Sequence, residues 1–170
     1  MNEPHEVLNA LDEIAAAAAL RRCCGSERWV IAMNRERPYP STPALLAAAE
    51  RHWSLLEGRD LLEAFSQHPQ IGEDVSSLRQ RFVATHALSA REQSGLSDAD
   101  EATLVALRDA NRAYRKRFGF IFIVCASGKS AEEMLSLLQA RLKHAPDLEL
   151  DIAATEQAKI THLRLEKLEA

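Results

Sequence analysis

Only one stretch of this chain has the residue types of a β-strand, and nothing in the chain can pair with it. Phe118-Gly119-Phe120-Ile121-Phe122-Ile123-Val124-Cys125 is aromatic and β-branched, a composition that favours a pleated surface. No second run of that kind exists. A lone strand would leave its backbone N–H and C=O groups without partners. The stretch therefore reads as a buried extended or irregular connector, and the fold class as all-α.

The rest of the chain carries helical spacing. Leu8, Leu11, Ile14 and Ala18 form a first stripe that ends at Gly25. Ser26 can cap a second helix through Trp29, Val30 and Met33, broken by Arg37-Pro38-Tyr39-Pro40. Thr42-Pro43 reads as an N-cap and a first-turn proline, opening a third helix that runs to about Glu57 with Gly58 as its stop. Leu61, Leu62 and Phe65 belong to a short fourth helix. A loop from Gln67 to Asp74 precedes a helix from about Val75 to Leu88.

Ser89-Ala90-Arg91-Glu92 and Ser130-Ala131-Glu132-Glu133 both have the form of a capping box. Ser97 opens the most regular helix, with Leu104, Leu107, Asn111, Tyr114 and Phe118 on one line. Leu135, Leu138 and Leu142 follow the second box. Pro146 interrupts, and a last helix runs from about Asp147 to the end. The 170 residues show no repeat or linker. They predict a single domain, residues 1–170, built as a bundle of about seven or eight helices.

With 46% hydrophobic residues, the chain can bury a core without disulfides or a structural metal. A net charge of -4 argues against nucleic acid, which needs a concentrated basic surface. The apolar run 118–126 is too short for a bilayer, which takes roughly 20 residues, so no membrane partner is expected. Cys23, Cys24 and Cys125 show no C-x-x-C spacing, which fits a reducing compartment. The start lacks a signal peptide and the end lacks a peroxisomal tripeptide, leaving the cytosol as the expected location.

Several residues have the types that chemistry needs. In His68-Pro69-Gln70-Ile71-Gly72, proline pushes the preceding histidine out of the helical region. An imidazole at a helix exit can reach a cleft and transfer protons near neutrality; a turn with a solvated imidazole satisfies the same residues. Ser89 and Glu92 can serve solely as a cap, while a helix start also offers N–H groups to an anion. Arg164 and Arg141 each lie beside an apolar stripe, where arginines usually snorkel to solvent. Gly128-Lys129-Ser130 lacks the first glycine of a phosphate loop. His5, His52, His68, His86, His144 and His162 show no metal-binding spacing, and no G-x-S-x-G elbow is present.

Four segments taken together resemble one family. They are Cys24-Gly25-Ser26-Glu27-Arg28-Trp29 with Arg37-Pro38-Tyr39, Phe65-Ser66-Gln67-His68-Pro69-Gln70-Ile71-Gly72, Ser89-Ala90-Arg91-Glu92-Gln93-Ser94-Gly95-Leu96, and the run from Tyr114 through Phe118-Gly119-Phe120 to Lys129. Their order and separation are similar to the OHCU (2-oxo-4-hydroxy-4-carboxy-5-ureidoimidazoline) decarboxylases. The resemblance covers nearly the whole chain. Gln70 departs from it where a basic residue is common, His144 stands where asparagine is frequent, and the segment after Glu92 is shorter than the eukaryotic form.

The resemblance implies an all-α fold of the family's own kind, a homodimer, and decarboxylation of OHCU to (S)-allantoin without a cofactor. It implies catalytic roles for His68, Glu92 and Arg164. It implies that Pro69, Ser89, Gln93, Phe122, Ile123, Val124, Cys125 and Ala126 contact or line the substrate site. A non-catalytic helical scaffold and a metal-dependent amidohydrolase are the competing readings.

Overall fold

A computed structural model describes residues 2–68, 74–87 and 98–169. Among them are nine helices and no strand: α1 Pro4–Ala10, α2 Glu13–Cys23, α3 Glu27–Arg35, α4 Thr42–Ser54, α5 Gly58–Ser66, α6 Val75–Ala87, α7 Asp98–Phe118, α8 Ala131–Arg141 and α9 Pro146–Glu166. None of the described helices is long and apolar enough to cross a membrane. The chain divides into two compact units, one of Met1–His68 with Ala154–Ala170 and one of Pro69–Ala153.

The count exceeds the sequence expectation because the first stripe is two helices. Asp12 accepts the amide N–H of Ala15 and starts α2 afresh, which resets the helical phase. Ile14 is consequently 84% exposed, and Ala16, Ala19, Leu20 and Cys23 are buried in its place. Two further boundaries differ. Ser41, not Thr42, caps α4 by accepting from Ala44 N–H at 3.2 Å. Gly58 opens α5 instead of closing α4: Glu57 is its N-cap, and the carboxylate of Asp60 accepts the Glu57 N–H at 3.0 Å. Pro146 stands at the first position of α9, where its missing N–H costs nothing.

The first unit buries Leu8, Leu20, Trp29, Met33, Leu45 and Leu165 in one cluster. Trp29 is fully enclosed, and its indole N–H donates to the Ala49 carbonyl at 3.1 Å. Ser26 caps α3 as its position predicts. The second unit packs Leu78, Phe82, Leu104, Leu107, Tyr114, Met134 and Leu138. Of the line read along α7, Leu104, Leu107 and Tyr114 are buried and Asn111 and Phe118 half-buried, and the Ser130–Glu133 capping box opens α8 with both bonds made.

Between α7 and α8 the chain forms an irregular connector, with no partner strand among the described residues, in keeping with its isolation in the sequence. Gly119 and Gly128 bracket this connector at φ +80 and +75, values that favour glycine. Gly119 also ends α7, its N–H donating to the Arg115 carbonyl at 2.9 Å.

Candidate active site

His68 stands one residue beyond the C-cap of α5, at the helix exit where its sequence context puts it. It is half-buried, and its Nε2 is hydrogen-bonded to Oε1 of Gln157 on α9. Burial lowers its pKa below the ordinary histidine value, and the positive charge of Arg164 adds to the lowering. The Gln157 bond opposes both. The net result is an imidazole that is neutral at pH 7 and able to accept a proton.

His68 lines a cleft of about 620 Å³ in the first unit, together with Cys23, Gly25, Gln67 and Arg164. Arg164 lies two turns beyond Gln157 on the same helix. Its Nη1 donates to the carbonyls of Arg22 and Cys23, at 3.3 Å each. Those carbonyls end α2, where the helix dipole is negative and free acceptors remain. The guanidinium is thus anchored on backbone and has no carboxylate partner among the described residues. Arg21, Arg22 and Lys167 also line the cleft, against one acid among the described residues, Glu169. Arg21 is paired with Glu27 at 2.6 Å. The remaining cations leave a basic surface suited to an anion.

Gly25 gives this wall its shape. A Cβ there would meet Cγ and Cβ of Gln67 at 2.3 and 2.5 Å. Only glycine lets the chain before α3 pass so close to the residue that precedes His68.

Sequence reasoning missed Gln157 and Thr161. The amide of Gln157 donates to Thr161 Oγ1 at 3.1 Å, and Thr161 Oγ1 lies 3.5 Å from the Cys23 carbonyl. Gln157 is fully buried and Thr161 is 5% exposed. The available signal was two polar residues four apart in register with Ala153 and Leu165, both also buried.

The 122–126 segment belongs to the second unit. Ile123 is buried and its four companions are half-buried. The Ile123 carbonyl accepts from Nη1 of Arg141 at 2.6 Å, and the Cys125 carbonyl from Nζ of Lys129 at 2.8 Å. The expectation that Arg141 snorkels fails. It is 6% exposed, lies 4.5 Å from the Phe122 ring centroid and pairs with the fully buried Glu149 at 2.5 Å. Glu149 also accepts from the Tyr114 hydroxyl and bonds His144 at 2.9 Å. Arg141 is therefore spent on internal partners. Of these two arginines, Arg164 is the one that shares a cleft with His68. Pro69, Ser89, Glu92 and Gln93 lie outside the described residues.

The family model described as OHCU decarboxylase matches residues 9–166. The chain belongs to the OHCU decarboxylase family. It is 40% identical over 146 residues to the uric acid degradation bifunctional protein TTL of Arabidopsis thaliana, covering 86% of this chain and 45% of that protein. It is 32% identical over 102 residues to the 2-oxo-4-hydroxy-4-carboxy-5-ureidoimidazoline decarboxylase of Amia calva, covering 59% of this chain and 57% of the relative. The chain thus spans about half the length of these two relatives. A crystal structure of OHCU decarboxylase in the presence of (S)-allantoin matches with a TM-score of 0.70 at 38% identity, over 86% of this chain and 94% of that one. The family's fold and this chain's helices therefore agree.

Proposed function

We propose that the chain decarboxylates OHCU to (S)-allantoin, with no cofactor. The observation that carries the reading is an imidazole with a lowered pKa and an anchored guanidinium, without a carboxylate partner among the described residues, lining one basic cleft in a member of this family. The substrate is an anion with its own electron sink, a ring C=N bond beside the carboxylated carbon. Breaking the C–C bond releases carbon dioxide, and its electron pair forms a C=C bond. The C=N pair passes to nitrogen, which takes a proton. The hydroxyl then loses its proton as C=O forms, and a proton is delivered to one face of the neighbouring carbon.

His68 accepts the hydroxyl proton in this scheme, because burial keeps it neutral. Arg164 holds a ring or ureido oxygen, or grips the carboxylate only loosely. A tight ion pair there would stabilise the ground state more than the transition state. The family resemblance assigns Glu92 to orienting the hydroxyl or managing the later proton. It assigns Pro69, Ser89, Gln93 and the 122–126 segment to substrate contact. It also implies a homodimer, which light scattering tests; the length of 170 residues supports a single domain, and cysteines without C-x-x-C spacing fit a cytosolic location.

The decisive experiment follows the ultraviolet decay of freshly generated OHCU and the optical activity of the product. The wild-type chain should accelerate the decay and give one enantiomer, with a chelator present or absent. His68→Ala should lower kcat at least about a hundredfold, the scale of a lost general base. A near-wild-type rate in that variant rejects the assignment of His68.

A further inference from the structure

The nitrogen of His68 that carries the proton is set by a buried chain of hydrogen bonds. His68 Nε2 meets Gln157 Oε1, Gln157 Nε2 meets Thr161 Oγ1, and Thr161 Oγ1 faces the carbonyl of Cys23. A carbonyl only accepts, so the Thr161 hydroxyl donates to it and is left as an acceptor. Gln157 then presents its NH₂ to Thr161 and its carbonyl oxygen to His68. With the amide reversed, Thr161 would spend its one hydrogen on Gln157 and withdraw it from Cys23. Thr161 is 5% exposed, so water does not replace that bond, and the Cys23 carbonyl would be left with Arg164 as its side-chain donor.

We propose that Gln157 is a positioning residue that fixes His68 as the Nε2–H tautomer, so that Nδ1 is the atom that takes the substrate's proton. This rests on the reading of His68 as the base. Among the described residues, no hydrogen-bond partner is found at Nδ1, whereas Nε2 is occupied. The Cys23 carbonyl that ends the chain of bonds is also one of the two that anchor Arg164. One turn of backbone thereby fixes the proton state of the base and the place of the cation. The ionisable groups sharing the cleft with His68 are Arg21, Arg22 and Cys23 of α2, Arg164 of α9, and Lys167 and Glu169 beyond it.

The test is long-range ¹⁵N–¹H correlation NMR of the wild-type chain labelled at histidine, at pH 8, with His68 assigned by the signal missing in His68→Asn. A pyrrole-type Nε2 and a pyridine-type Nδ1 are expected. The opposite tautomer, or a mixture, overturns the proposal, and this measurement needs no folded variant other than the one used for assignment. Gln157→Glu places a carboxylate on the Nε2–H and should move the acid limb of the kcat/KM pH profile upward by about one unit. An unmoved limb in a folded variant also overturns it. If His68→Ala abolishes activity but the Nδ1–H tautomer is found, this inference fails and the base survives. If the tautomer is as stated and His68→Ala stays active, the functional reading fails instead.

Discussion

Replacing Arg141 by methionine should damage the second unit far more than losing a surface arginine would. Glu149 is fully buried and takes two contacts from this guanidinium, from Nε at 2.7 Å and Nη2 at 2.5 Å. Without it the carboxylate keeps, among the described residues, the Tyr114 hydroxyl and His144, which is partly exposed. The Ile123 carbonyl loses its 2.6 Å donor at the same stroke. Stranding a buried charge costs about 3–5 kcal/mol, which for a chain of this size is roughly 6–20 °C in Tm. The double variant Arg141→Met with Glu149→Leu removes both charges and should recover most of that loss. Urea unfolding of the single and double variants, read by circular dichroism, measures the coupling. A single-variant loss below about 1 kcal/mol would show that the pair is solvated and that the argument from burial is wrong.

Gly25→Ala should cost about 1–3 kcal/mol by overpacking and lower kcat as well, because Gln67 must retreat about an ångström and carries His68 with it; unchanged kinetics in the folded variant would contradict that coupling. His68 also makes stability pH-dependent. Its folded pKa lies below the unfolded value of about 6.5, so the unfolded state binds more protons below that pH and stability falls on acidification. His68→Asn should flatten the Tm slope below pH 6.5, and an identical slope would refute the assignment. Burial raises the thiols of Cys23 and Cys24 to about 11 each, so a thiol reagent at pH 8 should titrate at most one group, Cys125, until the chain is unfolded.

Much of the fold was legible because its signals are local. The α3 and α8 caps, the α7 line and the isolation of the 118–125 run each follow from a few neighbouring residues, and each is realised. The errors are local as well. Asp12 outranks the apolar stripe that crosses it, since a capping carboxylate ends one helical phase and begins another. Gly58 can follow one helix or open the next, and the Glu57–Asp60 box decides for the latter. The site was legible only in part. The Pro69 neighbour marks His68, but nothing local distinguishes Arg164 from Arg141. That distinction comes from partners outside each arginine's own helix: Arg22 and Cys23 for one, Ile123 and Glu149 for the other.

The last helix shows why such partners escape a search for periodicity. Its buried line is Glu149, Ala153, Gln157, Thr161 and Leu165, three of the five being polar. A step of four residues over-rotates by about 40°, so the buried line winds around the helix and drifts off the apolar stripe read from the sequence. Each polar member is buried because a partner awaits it: Tyr114, Arg141 and His144 for Glu149, His68 for Gln157, the Cys23 carbonyl for Thr161. An apolar residue at 157 would pack as well and leave the imidazole without its orienting acceptor. The polarity of this helix is therefore dictated by the groups it must hold. A buried polar residue spaced like a core residue is thus a better pointer to a site than the histidine it serves.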